Sequence, residues 1–423
     1  MAEQPVDVIV QLAGEDVVAG RLWAHRRERS ESATFSYTAN YLALGEAYAL
    51  DPLLPLVSGQ QQTPEGRPIF GAFSDCAPDR WGRRLIQRAE KQRARAAGAA
   101  ERSFAEIDYL LGVRDDLRQG ALRFRDPDTG SYLSDASGGV PHLIDLPQLL
   151  NAAEHLERDE ATEAELQSLL RGGSSLGGAR PKAHVIEQDG RIAIAKFPSP
   201  SNDEWDVMAW EAVALQLARA AGISVPDWSL HSIDNRSVLI VERFDRAADR
   251  RIGYVSAMTM LEVTDGAEAS YLDIVDAIET EGDQVNSDLS QLWRRIAFSI
   301  LISNTDDHLR NHGFLRASTA GWRLSPAFDI NPDPQPGTKY LSTAIDSNTT
   351  EARVDVLMSV AGLFGLSESG ARRILADVVA STTTWRDVAR EVGLERTAIE
   401  QMASAFEHEQ ADAARAASRQ SSS

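Results

Sequence analysis

The chain has 423 residues, of which 43% are hydrophobic and 25% charged, with a mean hydropathy of -0.29. This composition excludes a disordered chain or a membrane bundle and supplies a large core without disulfide staples. Lys plus Arg is 43 against 63 for Asp plus Glu, a net charge of -20, which speaks against a free-standing nucleic-acid binder because phosphate neutralisation dominates such affinity.

The single Cys76 allows neither an internal disulfide nor a cysteine zinc site. At about 150 residues per domain, two or three domains are expected. No apolar run approaches the ~20 residues of a membrane span. The start, MAEQPVDVIVQLAG, lacks the basic region of a secretory signal. A cytoplasmic protein without membrane contact is therefore expected.

In chain order, 6–12 and 17–23 alternate apolar and polar residues around Gly14-Glu15-Asp16 and predict strand, turn, strand. Residues 35–48 extend that sheet. Residues 78–98 predict a helix, and 104–112 continue the helical region. Asp126 to Gly130 is a turn. Leucines and alanines at helical spacing cover 147–171, followed by a Gly-Ser loop at 172–178. Strands at 183–187 and 191–197 flank Asp189-Gly190, a hairpin signal. A helix spans 203–221, ended by Gly222 with Pro226 beyond, and 237–242 is a buried strand. Helical patterns then dominate at 271–281, 289–303, 353–364, 367–380 and 395–416. The tail 413–423, rich in Ala, Arg, Gln and Ser, is expected to be disordered.

Four stretches carry candidate chemistry. The first is Asn304-Thr305-Asp306-Asp307-His308-Leu309-Arg310-Asn311-His312, placed after an apolar helix. It suits a solvated connection or a catalytic loop. Protein kinases place H-R-D-x-x-x-x-N there, with Asp accepting the hydroxyl proton and Asn on magnesium. Asp306 and Asn311 have that spacing, without the preceding His-Arg. The second is Phe328-Asp329-Ile330-Asn331-Pro332, after a short strand at 322–324. Asp329 suits an Asx turn or a magnesium-binding carboxylate; Mg2+ takes oxygen ligands and substrate phosphates. A hairpin of 313–316 with 322–324 would return Asp329 to Asn311.

The third is Lys196, ending the apolar strand Ile192-Ala193-Ile194-Ala195-Lys196. It suits a snorkelling strand-edge lysine or the phosphate-binding lysine of V-A-I-K strands, with Glu211 in the following helix as its ion-pair partner. The fourth is the Ser174–Lys182 loop, which contains neither a Walker A nor a G-x-G-x-x-G motif. It suits a linker or a phosphate cradle. His308 and His312 stand at i, i+4, as zinc ligands can, but Leu309 breaks H-E-x-x-H.

Together these stretches resemble the HipA-like serine/threonine kinases, toxin components of bacterial toxin–antitoxin pairs. The resemblance is carried by SSLGGARPK (174–182), IAKFP (194–198), AGISVP (221–226), VERFDR (241–246), NTDDHLRN (304–311) and LSPAFDI (324–330), with TFSYTANYLA (34–43) and FGAFSDCAPDRWGRRLI (70–86) in the N-terminal part. It implies an α+β, two-lobed protein-kinase-like fold, with a sheet-containing N-terminal lobe and a mostly helical C-terminal lobe. The implied divisions are an N-terminal subdomain at 1–135, an ATP-binding part with Gly-rich loop and hinge at 136–245, and a helical lobe at 246–412.

The resemblance also implies residue roles. Asp306 is the catalytic base, and Asn311 and Asp329 bind Mg2+. ATP is held by Gly177, Gly178, Ala179, Arg180, Lys182, Lys196, the hinge residues Glu242, Arg243 and Phe244, and by His308, Asn311, Phe328 and Asp329. Glu211 supports Lys196. Ser175 is the autophosphorylated serine, which would switch the enzyme off. The implied substrate is a protein, an aminoacyl-tRNA synthetase in family members. The implied partner is a HipB-like helix-turn-helix antitoxin, with DNA reached only through it. The alternative is a non-catalytic nucleotide- and partner-binding module of a toxin–antitoxin complex; the presence of every candidate catalytic residue favours transfer.

Overall fold

A computed structural model describes residues 5–12, 14–27, 30–134, 139–173, 180–248, 250–316 and 318–419. The chain forms two compact units, neither continuous in sequence. The first contains Met1–Asn202, Ser232–Val255 and Leu315–Thr319; the second contains Asp203–His231, Ser256–Phe314 and Ala320–Ser423. Among the described residues no helix is long and apolar enough to cross a membrane.

The first unit opens with an antiparallel sheet. Its strand order is Gln61–Gln62, Ser30–Tyr37, Glu15–Arg27, Val6–Leu12, Leu122–Arg125. Alternation dictates its buried face: Val8, Val10, Leu22, Phe35 and Phe124 are fully buried. Phe73 packs edge-on against Phe35, Phe70 and Phe124 at 5.8 Å. Gly20 sits under Phe35, where a Cβ would lie 2.2 Å from the ring. The expected sheet continuation over 35–48 stops at Tyr37, because Thr38 caps a short helix, Ala39–Leu42, by accepting from Tyr41 N.

A second core in this unit is built on the expected hairpin. Lys182–Ile186 pairs with Ile192–Lys196, which pairs with Arg236–Glu242, all antiparallel. Gly190 takes the left-handed conformation (φ 86°) that the Asp-Gly turn requires. Ala183, Val185, Ala193, Ala195, Val238 and Ile240 pack against leucines of two helices and against Trp81 and Leu85. The 147–171 stretch is two helices, Leu146–Glu157 and Glu163–Arg171. Asp159 turns left-handed (φ 64°), and Thr162 with Glu165 forms a capping box that starts the second helix.

The Arg80–Ala97 helix is N-capped by Asp79, whose Oδ1 accepts from Gly82 N at 2.6 Å, and ends at left-handed Gly98. The other carboxylate oxygen of Asp79 accepts from Lys182 Nζ at 2.9 Å. Trp81 Nε1 donates to Lys182 O at 3.1 Å. These contacts fix the helix start to the root of the hairpin.

The second unit is mostly helical. Val207–Ala220 is buried on nearly every side, and Trp210 packs on Trp385 and Phe406, which stack at 4.6 Å. The pattern over 395–416 resolves into Arg396–Gln401, Ala403–Phe406 and Glu409–Arg419. The tail expected to be disordered is helical to Arg419: Ala411 and Ala414 are buried and Arg372 Nη1 donates to Ala417 O. Residues 420–423 lie outside the described residues. Strands at Leu122–Arg125, Trp228–Ile233 and Gly253–Ser256, and the Trp385–Val392 helix, were not expected from the pattern.

Candidate active site

Every residue of the Val285–Leu301 helix from Arg295 onward is buried. The chain leaves it through left-handed Ser303 (φ 55°). Asn304 N bonds back to Ser299 O at 2.8 Å. Buried Asn304 then bridges two segments: its Nδ2 donates to Ser299 Oγ at 3.3 Å, and its Oδ1 accepts from Asn331 N at 3.2 Å. The loop after the helix is thereby tied to the segment following Asp329.

Asp306 and Asp307 are neighbours with opposite surroundings. Asp306 is exposed. Asp307 is 5% exposed and accepts from Tyr271 OH at 2.5 Å and Ser299 Oγ at 3.2 Å, with His312 Nε2 at 3.0 Å from its other oxygen. Burial pushes the Asp307 carboxyl up; the His312 charge and the hydrogen bonds from His312, Tyr271 and Ser299 outweigh this and hold it below the usual carboxylate range. Burial, with Asp307 beside it, pushes the Tyr271 hydroxyl well above 10. Thr343 Oγ1 donates to Asp307 O at 2.7 Å. Asp307 therefore holds the loop, and Asp306 is the carboxylate available to a ligand.

Asn311 closes a 3-10 turn, Leu309–Asn311, and donates from Nδ2 to Asp306 O at 2.9 Å. That leaves its amide oxygen as an acceptor. Asn311 lines a small cavity with Asn304, Asp307, His312 and Phe328. Among the described residues, His308 Nδ1 and Asn331 Oδ1 are buried and find no hydrogen-bond partner.

The expected hairpin is present. Gly313–Arg316 and Arg323–Leu324 are adjacent strands, and Ser325 N bonds to Gly313 O at 2.8 Å. The turn after it is pinned from three sides. Leu324 N donates to Asp288 Oδ2 at 3.0 Å, Arg295 Nη2 donates to Ser325 O, and Ala327 N bonds to Ser224 O at 2.8 Å. Burial lowers the Arg295 guanidinium to about 10 against the opposing charges of Asp307 and Asp288. Asp329 follows in the left-handed region (φ 53°), where a non-glycine residue is strained; such strain concentrates at functional sites.

The remaining candidates lie mostly in the first unit. Lys196 ends its strand half-buried, opposite Lys182 on one side and Leu239 on the other. Lys182, expected on the phosphates, is 6% exposed and paired with buried Asp79. Its charge is thus paired within the fold. Arg243 is likewise used inward. It forms a two-point pair with Asp245 at 2.9 and 2.7 Å and donates to Leu117 O and Arg118 O. Only its backbone remains for a hinge role. Glu242 pairs with Arg191, and the Phe244 ring lies 6.3 Å from Tyr254. Arg180 is half-buried. Glu211, on the Val207–Ala220 helix of the second unit, is 2% exposed.

Ser175, Gly177, Gly178 and Ala179 lie outside the described residues, but the root of their loop is defined. Gly172 O accepts from His184 N at 2.6 Å and lies 2.9 Å from His184 Nδ1, while His184 Nε2 is 3.1 Å from Arg243 Nη1. Complete burial, reinforced by the Arg243 charge, drives His184 well below 6.5. The neutral ring then donates from Nδ1 and accepts at Nε2. A buried chain Gly172–His184–Arg243–Asp245 connects the loop root to the 243–246 segment, and Asp245 Oδ2 accepts from Gly120 N at 2.7 Å. Sequence reasoning missed His184, and it placed Asn304, Asp307 and Asn331 in candidate stretches without giving them a role. The apolar context of His184 within a strand was the one signal available.

A sheet-bearing unit, a helical unit, and an Asp-x4-Asn loop tied to a strand–turn–Asp segment define the α+β class described above. Residues 174–413 match the HipA-like C-terminal domain family, and the chain belongs to that family. It is 24% identical over 398 residues to Y4mE of Sinorhizobium fredii (strain NGR234), whose name carries a provisional kinase assignment; the match covers 84% of this chain and 86% of that protein. A Haemophilus influenzae protein, also provisionally named a kinase, is 24% identical over 187 residues, 38% of this chain and 54% of that protein. Among solved structures, HipA from the Shewanella oneidensis MR-1 complex of HipA, HipB and operator DNA aligns with a TM-score of 0.66 at 15% identity, covering 97% of this chain and 96% of that one. That likeness defines the fold.

Proposed function

We propose that the chain is an ATP-dependent serine/threonine protein kinase. The observation that carries this is the division of labour in the 304–311 loop. Asp307 is buried and bonded on both oxygens, Asn311 holds the backbone of Asp306, and the Asp306 carboxylate stands exposed. A carboxylate held by a fixed backbone can accept the proton of a substrate hydroxyl and align it for attack on the γ-phosphate.

The donor set suits magnesium. The Asn311 amide oxygen, the Asp329 carboxylate and the unpartnered Asn331 Oδ1 are hard oxygen donors, and Mg2+ takes few protein ligands besides substrate phosphates. Among the described residues no group of three His, Cys, Asp or Glu could hold a metal. Bound magnesium would neutralise charge on the β- and γ-phosphates. Lys196 would contact the phosphates, the 242–244 backbone the adenine, and the 174–180 loop would cover the phosphates, with Ser175 as an autophosphorylation site. The partner is a HipB-like antitoxin and the substrate a protein, with an aminoacyl-tRNA synthetase the first to test.

The test is phosphate transfer from labelled ATP with Mg2+. Asp306→Asn should lose transfer by about 10²–10⁴-fold with ATP affinity retained, and its urea midpoint should stay at the wild-type value. Unimpaired turnover in this variant would remove Asp306 from the role. Calorimetry should show weaker Mg-ATP binding in Asn311→Ala and Asp329→Ala. If neither the wild-type chain nor a dephosphorylated sample transfers phosphate to any protein yet binds Mg-ATP, the non-catalytic module is the correct reading.

A further inference from the structure

Thr343 is a polar residue in a place built for an apolar one. Along the extended segment 341–345, Leu341, Thr343 and Ile345 alternate inward and are 3%, 1% and 0% exposed. Valine has the shape of threonine and would fill that position with no hydroxyl to satisfy. A buried hydroxyl costs free energy unless it is bonded. Among the described residues the Thr343 hydroxyl has one partner, Asp307 O, at 2.7 Å. Ser342 is exposed, yet both of its donors converge on one atom. Its N lies 3.0 Å and its Oγ 2.9 Å from Thr305 O.

These contacts flank Asp306, whose own carbonyl accepts from Asn311 Nδ2 at 2.9 Å. The carbonyls of Thr305, Asp306 and Asp307 are therefore all held, and neither peptide unit beside Asp306 can turn over without breaking a bond. The segment that holds them is itself fixed, and all of it lies in the second unit. Leu341 N bonds to Thr350 O at 2.7 Å and Ile345 N to Thr349 O at 2.8 Å. Asp346 Oδ1 closes the turn by accepting from Asn348 N and Thr349 N at 2.9 and 2.7 Å. Ala344 O accepts from Tyr271 N at 2.8 Å, and Tyr271 OH donates to Asp307 Oδ2 at 2.5 Å. The bonds form a closed circuit through Thr343, Ala344, Tyr271 and Asp307.

We propose that Ser342 and Thr343 are positioning residues for phosphate transfer. They aim the Asp306 carboxylate by holding the backbone on both sides of it, and they touch neither nucleotide nor substrate. This rests on the reading of Asp306 as the group that accepts the hydroxyl proton. Asp306 is exposed, and among the described residues no donor or cation is bonded to its carboxylate. A carboxylate with no side-chain partner owes its direction to its backbone alone. A misplacement of about 1 Å at a reacting group costs on the order of 10²-fold in rate. The nucleotide contacts assigned to Lys196, Asp329 and the 242–244 backbone lie on other segments, so the loss falls on turnover and not on ATP affinity.

The experiment measures initial rates of phosphate transfer from labelled Mg-ATP by the full chain, to itself and to dephosphorylated casein, over a range of ATP concentrations. Thr343→Val should lower kcat by about 10²-fold and leave KM for ATP within about twofold. Thr343→Ser keeps the hydroxyl and should restore kcat. Ser342→Ala keeps the backbone donor on Thr305 O and should lose about tenfold, less than Thr343→Val. Tyr271→Phe is the control. It removes a hydrogen bond to the same loop, on the Asp307 side chain, and should keep kcat once corrected for the folded fraction. The proposal is overturned if Thr343→Val or Ser342→Ala turns over at the wild-type kcat, or if Thr343→Ser is as slow as Thr343→Val. It is also overturned if Tyr271→Phe falls as far as Thr343→Val, since the loss is then one of loop stability. In each of these cases the wild type still transfers phosphate and the kinase reading stands. A wild-type chain that transfers none removes that reading, and the proposal with it.

Discussion

The two units bury charge in different ways. In the first, arginine dominates. Arg243 and Arg246 gather around Asp245 and spend their remaining donors on backbone carbonyls of Leu117, Arg118 and Gly120, while Arg118 donates to Leu110 O and Val113 O. Burial, with Arg251 nearby, lowers Arg118 to about 10 against the opposing effects of Cys76 and Asp115. In the second, one carboxylate is the centre, and Asp307 collects donors from Tyr271, Ser299 and His312. The first arrangement fixes backbone segments far apart in sequence through many single bonds. The second fixes one loop through one group. A hub of many weak ties tolerates loss of a donor, whereas a single acceptor shared by several donors does not tolerate loss of itself.

The largest effect is expected where the first hub loses Asp245, the carboxylate that pairs with both Arg243 and Arg246. Asp245→Ala leaves Arg243 and Arg246 buried without their paired carboxylate, a change that costs about 3–5 kcal/mol, read as a fall in the urea midpoint. A loss below 1 kcal/mol would mean that the carbonyls carry the hub and erase the contrast. Smaller is the loss in the second hub when one donor goes. Tyr271→Phe removes one hydrogen bond to a charged group, about 1.5–3 kcal/mol. It should weaken phosphate transfer no further than its effect on folding, since Tyr271 supports the loop without reaching a ligand.

The third effect is a pH dependence that separates the hubs. His184 is held below its ordinary 6.5 by burial and by Arg243. The unfolded chain therefore binds a proton that the folded chain refuses as pH falls below 6.5. Its contribution to stability is complete above that value and is lost on acidification, at up to about 1.4 kcal/mol per pH unit. Asp307, depressed below 3.8, has the same sign in a lower window: its contribution is present above 3.8 and lost as pH falls toward its folded value. Stability measured from pH 7 to 5 should decline in the wild type and decline less in His184→Gln. Equal slopes in both would show that His184 is not the acid-sensitive group of the first hub.

The smallest expected effect tests a cap. Thr162→Ala removes the oxygen that accepts from Glu165 N, a loss of about 1 kcal/mol. It lies in the first unit but outside its charge hub, so its effect should not vary between pH 7 and 5.

The sequence made the strands, the hairpin and the Asp306–Asn311–Asp329 spacing legible because each depends on local period or on a short interval. It could not show which of two adjacent aspartates is buried, since Asp307 is chosen by Tyr271, 36 residues away. Nor could it show that Lys182 answers Asp79, 103 residues earlier. The edge strand Leu122–Arg125 was missed for the same reason: its partner is the strand Val6–Leu12 at the other end of the unit. The helical tail was missed because Ala and Arg composition matches disorder until a neighbouring helix buries one face.

The interleaving of the two units bears on how the chain is made. The first unit ends with Leu315–Thr319, after the second has already contributed Asp203–His231 and Ser256–Phe314. On a ribosome, no cut between the units leaves either one whole, and the first cannot close its contacts until residue 319 has emerged. Such long-range closure slows folding and keeps apolar surface uncovered during synthesis. The chain thus depends on protection of its unfinished N-terminal half for three quarters of its translation, and a stalled or truncated product yields an unfinished, aggregation-prone species rather than a working fragment.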